Sequence, residues 1–186
     1  MKNLPTLLKK IKKFFPVLRS YQIENFRSGT LKGEQSKGPN DFVTQIDIES
    51  ENMIKSELHQ IFQSAGFFGE ETGCSAMKDW MWVVDPIDGT TNYLSGVDHF
   101  SISIALTYLS QPMLGIVYKP MTKEYFWSIK GHGFYHNEKK IIPHVNGELK
   151  NALIGTGFPF RHYDTIDNFN STVKQLLKNC RDIRRM

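Results

Sequence analysis

Three short segments of this 186-residue chain place oxygen-bearing side chains where backbone turns would gather them. The richest is Trp82-Val83-Val84-Asp85-Pro86-Ile87-Asp88-Gly89-Thr90-Thr91-Asn92. An apolar run delivers Asp85 to a strand end. Pro86 fixes φ and disfavours helix at Asp85, so the chain must turn there. That turn can bring Asp85 and Asp88 to one side, with the Ile87 carbonyl between them. Two carboxylates and a carbonyl form a hard, all-oxygen set that suits Mg²⁺ rather than zinc. Gly89-Thr90-Thr91-Asn92 can then open a helix, or a single turn of one, whose free N–H groups seat phosphate oxygens. Cation ligands and phosphate donors in one stretch point to phosphoryl chemistry.

Asp-Pro and Asp-Gly are also ordinary turn formers, and a lone Asp-x-x-Asp is more often solvated turn chemistry than a metal site. Two other segments shift that balance. Gly69-Glu70-Glu71-Thr72 follows an apolar approach and offers a carboxylate at a second strand end. Asp41-Phe42-Val43-Thr44-Gln45-Ile46-Asp47 brings Asp47 to a helix start, where it is equally a plausible N-cap with Glu51 accompanying it. His132 and His136 straddle a Gly turn with no third histidine or cysteine spaced to join them, so zinc is not expected. Cys74 has no basic neighbour in sequence to lower its pKa and reads as a small loop residue.

The elements that must position these residues follow from periodicity. Leu4, Leu7, Leu8, Ile11, Phe14, Phe15 and Leu18 recur at helical spacing, with Pro5 suited to a first turn and Pro16 expected to kink or end the helix near Phe15. The lysines beside this stripe allow a membrane-surface helix, but a stripe of this width is what a core-facing helix needs. Residues 27–40, rich in glycine and polar side chains, read as a loop or hairpin, and 41–43 as a short extended segment. A helix is expected over 48–62, then a brief strand at 67–68. From Trp80 onward, short β-rich runs at 80–84, 99–108, 113–119, 124–129 and 133–136 alternate with turn residues and predict an antiparallel sheet. A strand at 152–156 and a helix over 164–181, its Arg181, Arg184 and Arg185 favoured by the helix dipole, complete an α+β chain.

Composition sets outer limits. Hydrophobic residues make up 40% and charged residues 23%, which excludes a collagen-like, coiled-coil or wholly disordered polymer. Two cysteines exclude a disulfide framework and suit a reducing compartment. No apolar run approaches a membrane span, and no signal peptide is evident. The net charge of +4 says little about nucleic acid, and the interleaved aromatic and basic motif of an RNA-recognition sheet is absent.

Taken in order, the three segments resemble the inositol monophosphatase family of Mg²⁺-dependent, lithium-sensitive phosphatases. Gly115-Ile116-Val117-Tyr118-Lys119-Pro120 and Gly131-His132-Gly133 are similar to further family landmarks, and Gly155-Thr156-Gly157-Phe158-Pro159-Phe160-Arg161 resembles the bacterial branch. The resemblance implies a layered αβαβα sugar-phosphatase fold. Residues 1–150 would form an N-terminal α+β metal- and phosphate-binding domain, and 151–186 the start of an incomplete C-terminal α/β domain. One departure is Asn137-Glu138 where the family has Asn-Gly, which implies a different hairpin turn.

Carried over residue by residue, the resemblance implies that Glu70, Asp85, the Ile87 carbonyl and Asp88 ligate two or three Mg²⁺ ions. Thr90 and Asp47 would orient and help deprotonate the attacking water, with Glu70 also in the catalytic set, while the Gly89 and Thr90 amides hold phosphate oxygens. The implied activity is hydrolysis of an inositol monophosphate or similar polyol or sugar phosphate by a cytoplasmic enzyme, homodimeric when complete. The alternative is a non-catalytic partner of a bacterial transcription or RNA-processing assembly, or an inactive truncated product. The chain stops before the family's Trp-Asp motif, so weak or absent activity is expected of these 186 residues alone.

Overall fold

The apolar stripe near the N-terminus forms α1 (Leu4–Asn25), which buries Leu7, Leu8, Ile11, Phe15 and Leu18. Asn3 caps it, accepting a 3.1 Å hydrogen bond from the Thr6 N–H, and Pro5 occupies the first turn. The helix does not end near Phe15 as its sequence predicts. Pro16 is exposed, while buried Phe15, Leu18 and Gln22 on either side hold one continuous helix, so tertiary packing outweighs the lost backbone donor. A computed structural model of the chain describes residues 3–27, 35–38, 41–43, 45–143, 147–159 and 163–185, with only the backbone described for 35–38 and 41–43.

Part of the expected 27–40 loop is regular: β1 (Gln35–Gly38) pairs with β2 (Asp41–Val43) as a two-stranded sheet, while 28–34 and 39–40 lie outside the described residues. The next helix, α2 (Gln45–Ile61), starts three residues earlier than its apolar spacing suggests, which moves Asp47 into the first turn. One face of α2 changes character along its length. Asp47, Ser50 and Glu51 are buried at its start, and Ile54 and Leu58 further on.

Among the described residues the main sheet has eight strands: β3 (Gly66–Gly69), β4 (Gly73–Cys74), β5 (Trp80–Asp88), β6 (Ser101–Tyr108), β7 (Gln111–Lys119), β8 (Glu124–Ile129), β9 (Gly133–His136) and β10 (Lys139–Ile141). Their order is β10-β9-β8-β7-β6-β5-β3-β4, antiparallel throughout except for the parallel pair β3–β5. This is a mixed α+β fold with a mostly antiparallel sheet. Along β6, Ile102, Ile104 and Leu106 are buried while the alternate residues are only partly so, the period-two signature of a sheet with one face on the core. That core gathers the apolar stripes of α1 and α2 with Trp82, Val84, Leu114, Ile116 and Tyr118, and Phe15 stacks on Tyr118 with ring centres 4.6 Å apart. The β9–β10 turn follows the expected departure: Asn137 alone takes a positive φ, of 53°, so Glu138 is spared the left-handed region.

Two compact units are distinguished, residues 1–37 with 42–141 and residues 38–41 with 142–186. Within the second, β11 (Leu153–Thr156) pairs in parallel with β12 (Asp182–Arg185), joined by α4 (Ile166–Asn179). The expected helix therefore ends at Asn179. Arg184 and Arg185 belong to β12 rather than to a helix terminus, and the Arg181 N–H donates to the Ala152 carbonyl at 3.0 Å.

Candidate metal and phosphate site

β5 carries a bulge at its end. Asp85 pairs with Ser103, but Asp88 pairs with Ser101, so three steps on β5 match two on β6. In an unbroken strand, residues three apart face opposite sides, and the bulge re-aims them. The Ile87 N–H donates to Asp85 Oδ1 at 3.1 Å and closes the turn locally. Asp85 is half-buried. Burial, the neighbouring Glu70 carboxylate and then Asp88 push its carboxyl up to about 8, against the opposing pull of the Ile87 N–H.

Glu70 reaches this position through the parallel pairing of β3 with β5. Its N–H donates to the Val84 carbonyl at 3.1 Å, setting Glu70 beside Asp85, and the two carboxyl groups are close enough to share a hydrogen bond. Gly89 then takes φ +101°, a conformation that favours glycine, and a Cβ there would stand 3.2 Å from the His99 carbonyl oxygen. It leads into α3 (Thr90–Leu94), whose first turn is closed by the Tyr93 N–H donating to the Gly89 carbonyl at 3.0 Å. Asn92 Nδ2 donates to the His99 carbonyl at 2.7 Å and ties the turn to the start of β6.

The Thr90 hydroxyl lies between two acceptors, Asp47 Oδ1 at 3.2 Å and the Ile87 carbonyl at 3.1 Å. Asp47 is 1% exposed, and its charge, together with burial, holds the nearby Tyr93 phenol above its usual range, burial being the larger effect. The Tyr93 hydroxyl donates to the Gln22 carbonyl, and Gln22 Nε2 donates to the Pro86 carbonyl at 3.0 Å and to Ser50 Oγ at 3.2 Å. Late residues of α1 thereby brace the Asp85-Pro86-Ile87 turn from behind, over an apolar pad of Ile87, Tyr93 and Phe100.

The expected residues thus fall into two adjoining groups: Asp85 with Glu70 and Asp88, and Asp47 with Thr90 and the Ile87 carbonyl. Among the described residues no three His, Cys, Asp or Glu side chains close into a ready-made cage, so Asp85 is a hub between two carboxylates. The donor set is oxygen only, with Asp85 between two further carboxyl groups, which fits a hard divalent cation. His136 pairs with Glu124 at 2.9 Å.

One residue acquires a role that its position in sequence disguised. Glu51, weighed above as a companion of the helix start, is fully buried and reaches out of α2. Its Oε2 accepts the Glu71 N–H at 2.8 Å and its Oε1 the Thr72 N–H at 2.9 Å. The carboxylate so placed caps the turn that carries Glu70. The available signal was the spacing of Glu51 with Ile54 and Leu58, which puts it on the buried stripe.

This architecture is that of a known family. The Inositol monophosphatase family profile matches residues 7–186, and the chain belongs to that family. It is 35% identical over 151 residues to the Nus factor SuhB of Vibrio cholerae, covering 80% of this chain and 57% of that protein. A fructose-1,6-bisphosphatase/inositol-1-monophosphatase of Aquifex aeolicus is 34% identical over 163 residues, 87% of this chain and 62% of that protein. The chain therefore spans about three-fifths of the length of these curated relatives. The extragenic suppressor protein suhB of Bartonella henselae superposes with a TM-score of 0.88 at 27% identity, over 97% of this chain and 70% of that one. The Thermotoga maritima IMPase gives 0.81 at 28% identity, over 100% and 68%.

Proposed function

We propose that this chain carries the metal- and phosphate-binding part of a Mg²⁺-dependent phosphomonoesterase acting on an inositol monophosphate or a similar polyol or sugar phosphate. The observation that carries the reading is the meeting of Asp85 with Glu70 and Asp88 beside the Asp47–Thr90 hydrogen bond. Family membership supports the reaction class.

In this reading Glu70, Asp85, Asp88 and the Ile87 carbonyl would hold Mg²⁺. The bound metal would supply a water of lowered pKa and neutralise charge on the phosphoryl oxygens. The Gly89 and Thr90 N–H groups hold those oxygens in place. Thr90, donating to Asp47, keeps its oxygen lone pairs free to accept a proton from the attacking water, with Asp47 as the final base. The new bond runs from water oxygen to phosphorus, the bond from phosphorus to the alcohol oxygen breaks, the alcohol oxygen takes a proton from a solvent water, and the proton held at Asp47 returns to the hydroxide so formed. Glu51 fixes the backbone of the Glu70 turn and acts as a positioning residue. The same reading takes the complete protein as a cytoplasmic homodimer. The test is phosphate release from an inositol monophosphate with Mg²⁺ by the complete protein: turnover that falls at least a hundredfold in Asp88→Asn is expected, and absent turnover, or turnover unchanged in that variant, would overturn the assignment.

A second reading rests on the relatives named Nus factor SuhB: a role as partner in a transcription assembly. It requires no turnover. Binding to a reconstituted transcription complex that survives Asp88→Asn would favour it over the phosphatase reading.

A further inference from the structure

A cavity lies away from the carboxylates. It encloses about 480 Å³ between the later part of α2 and the start of β3, with Trp82 of β5 in its wall. Glu70 follows the far end of β3, so the cavity and the candidate metal site are separated by roughly 10–13 Å of strand. The size falls within the range of small-molecule pockets.

Among the described residues the lining is one-sided in charge: Lys55, His59 and Lys78 stand around it with the amide of Asn52, and no carboxylate residue takes part. Phe67 and Trp82 supply aromatic surface. Lys55 Nζ lies 5.3 Å from the Phe67 ring centre, so one cation already sits over an apolar wall. Lys78 Nζ makes a long 3.5 Å contact with the Ala65 carbonyl.

Trp82 belongs to the wall of the cavity. The residue is 1% exposed and its indole N–H is buried, so the ring serves as a reporter within the wall and not as a ligand contact. Cationic side chains beside an aromatic surface select a molecule with an anionic group and an apolar ring.

We propose that this cavity is a binding site for a small organic anion, a phosphate or carboxylate carried on an apolar ring, separate from the phosphoryl-transfer site. The proposal does not depend on the phosphatase reading, and its test is done without Mg²⁺. The metal-free protein is titrated with phenyl phosphate and with benzoate while the Trp82 indole ¹H–¹⁵N resonance is followed, assigned by its loss in Trp82→Phe. Benzyl alcohol serves as the uncharged control.

A saturable shift at low millimolar concentration is expected, at least tenfold weaker in the Lys55→Ala/Lys78→Ala double variant and unchanged within twofold in Asp88→Asn. Response to phenyl phosphate alone marks the natural ligand as a phosphate, and response to both probes marks a general anion site. An unmoved indole, an equal response to benzyl alcohol, or full affinity in the double variant would overturn the proposal. So would loss of binding in Asp88→Asn, which would place the probe at the carboxylates instead.

Discussion

Glu51 and Gly69 are built against each other. A Cβ on Gly69 would stand 2.3 Å from the Glu51 carboxyl carbon, closer than any real contact. Glycine is required here by the approach of a buried carboxylate, not by backbone conformation. Gly69→Ala must therefore displace Glu51 from the Glu71 and Thr72 N–H groups. A loss of about 2–4 kcal/mol is expected in urea denaturation, from overpacking and from uncoupling a buried charge. A loss under 0.5 kcal/mol would mean the turn can move away freely.

Glu51→Gln tests the same contact with little change in volume. The amide can accept one N–H, but its NH₂ faces the other. A cost of about 1–3 kcal/mol is expected. Amide exchange at Glu71 and Thr72 should speed up selectively, and Mg²⁺ affinity measured by calorimetry should fall with it. Unchanged exchange at both amides would remove Glu51 from its positioning role.

Asp85 predicts how stability varies with pH in the metal-free protein. Its carboxyl is raised from 3.8 to about 8, so between these values the native state holds a proton that the unfolded chain releases. The contribution is fully present below about pH 4 and is lost as pH rises through 8. After screening by solvent at this half-buried position, a decline on the order of 1–2 kcal/mol is expected. Urea midpoints between pH 5 and 8.5 should show it, and Asp85→Asn should flatten it. Mg²⁺ should oppose the decline, binding more tightly as the proton leaves.

Thr90→Val removes the donor to Asp47, a carboxylate with 1% exposure. A stability cost of about 1–3 kcal/mol is expected from the lost bond. If the proton relay is right, kcat in a phosphate-release assay should fall by about 10²–10⁴ while KM changes little. Thr90→Ser should restore most of both. Full turnover in Thr90→Val would assign the hydroxyl a structural role alone.

Much of this arrangement was legible before folding was considered. The Trp82–Asn92 string announces a strand, a turn and a helix start because Pro86 and Gly89 each force one backbone choice. The meander from β5 to β9 follows from alternation and turn residues. What sequence hid is contact at long range. Pro16 reads as a break, yet stays within α1 because the flanking stripe is buried on both sides. Arg184 and Arg185 read as a helix end, but their partners in β11 lie some thirty positions away. Glu51 looked like a dipole companion for the same reason: the amides it caps belong to another element.

The rims of the large sheet have a consequence for life in a crowded solution. Among the described residues one rim is β4, two residues long, and the other is β10, three residues containing Lys139 and Lys140. Open β-strands are templates on which a second chain can lay its own backbone, and short or lysine-bearing ones are poor templates. Seven internal ladders are thus enclosed between two rims that give an incoming strand almost no length to pair with. The sheet stops growing where its own sequence stops it, which protects this unit from recruiting copies of itself edge to edge.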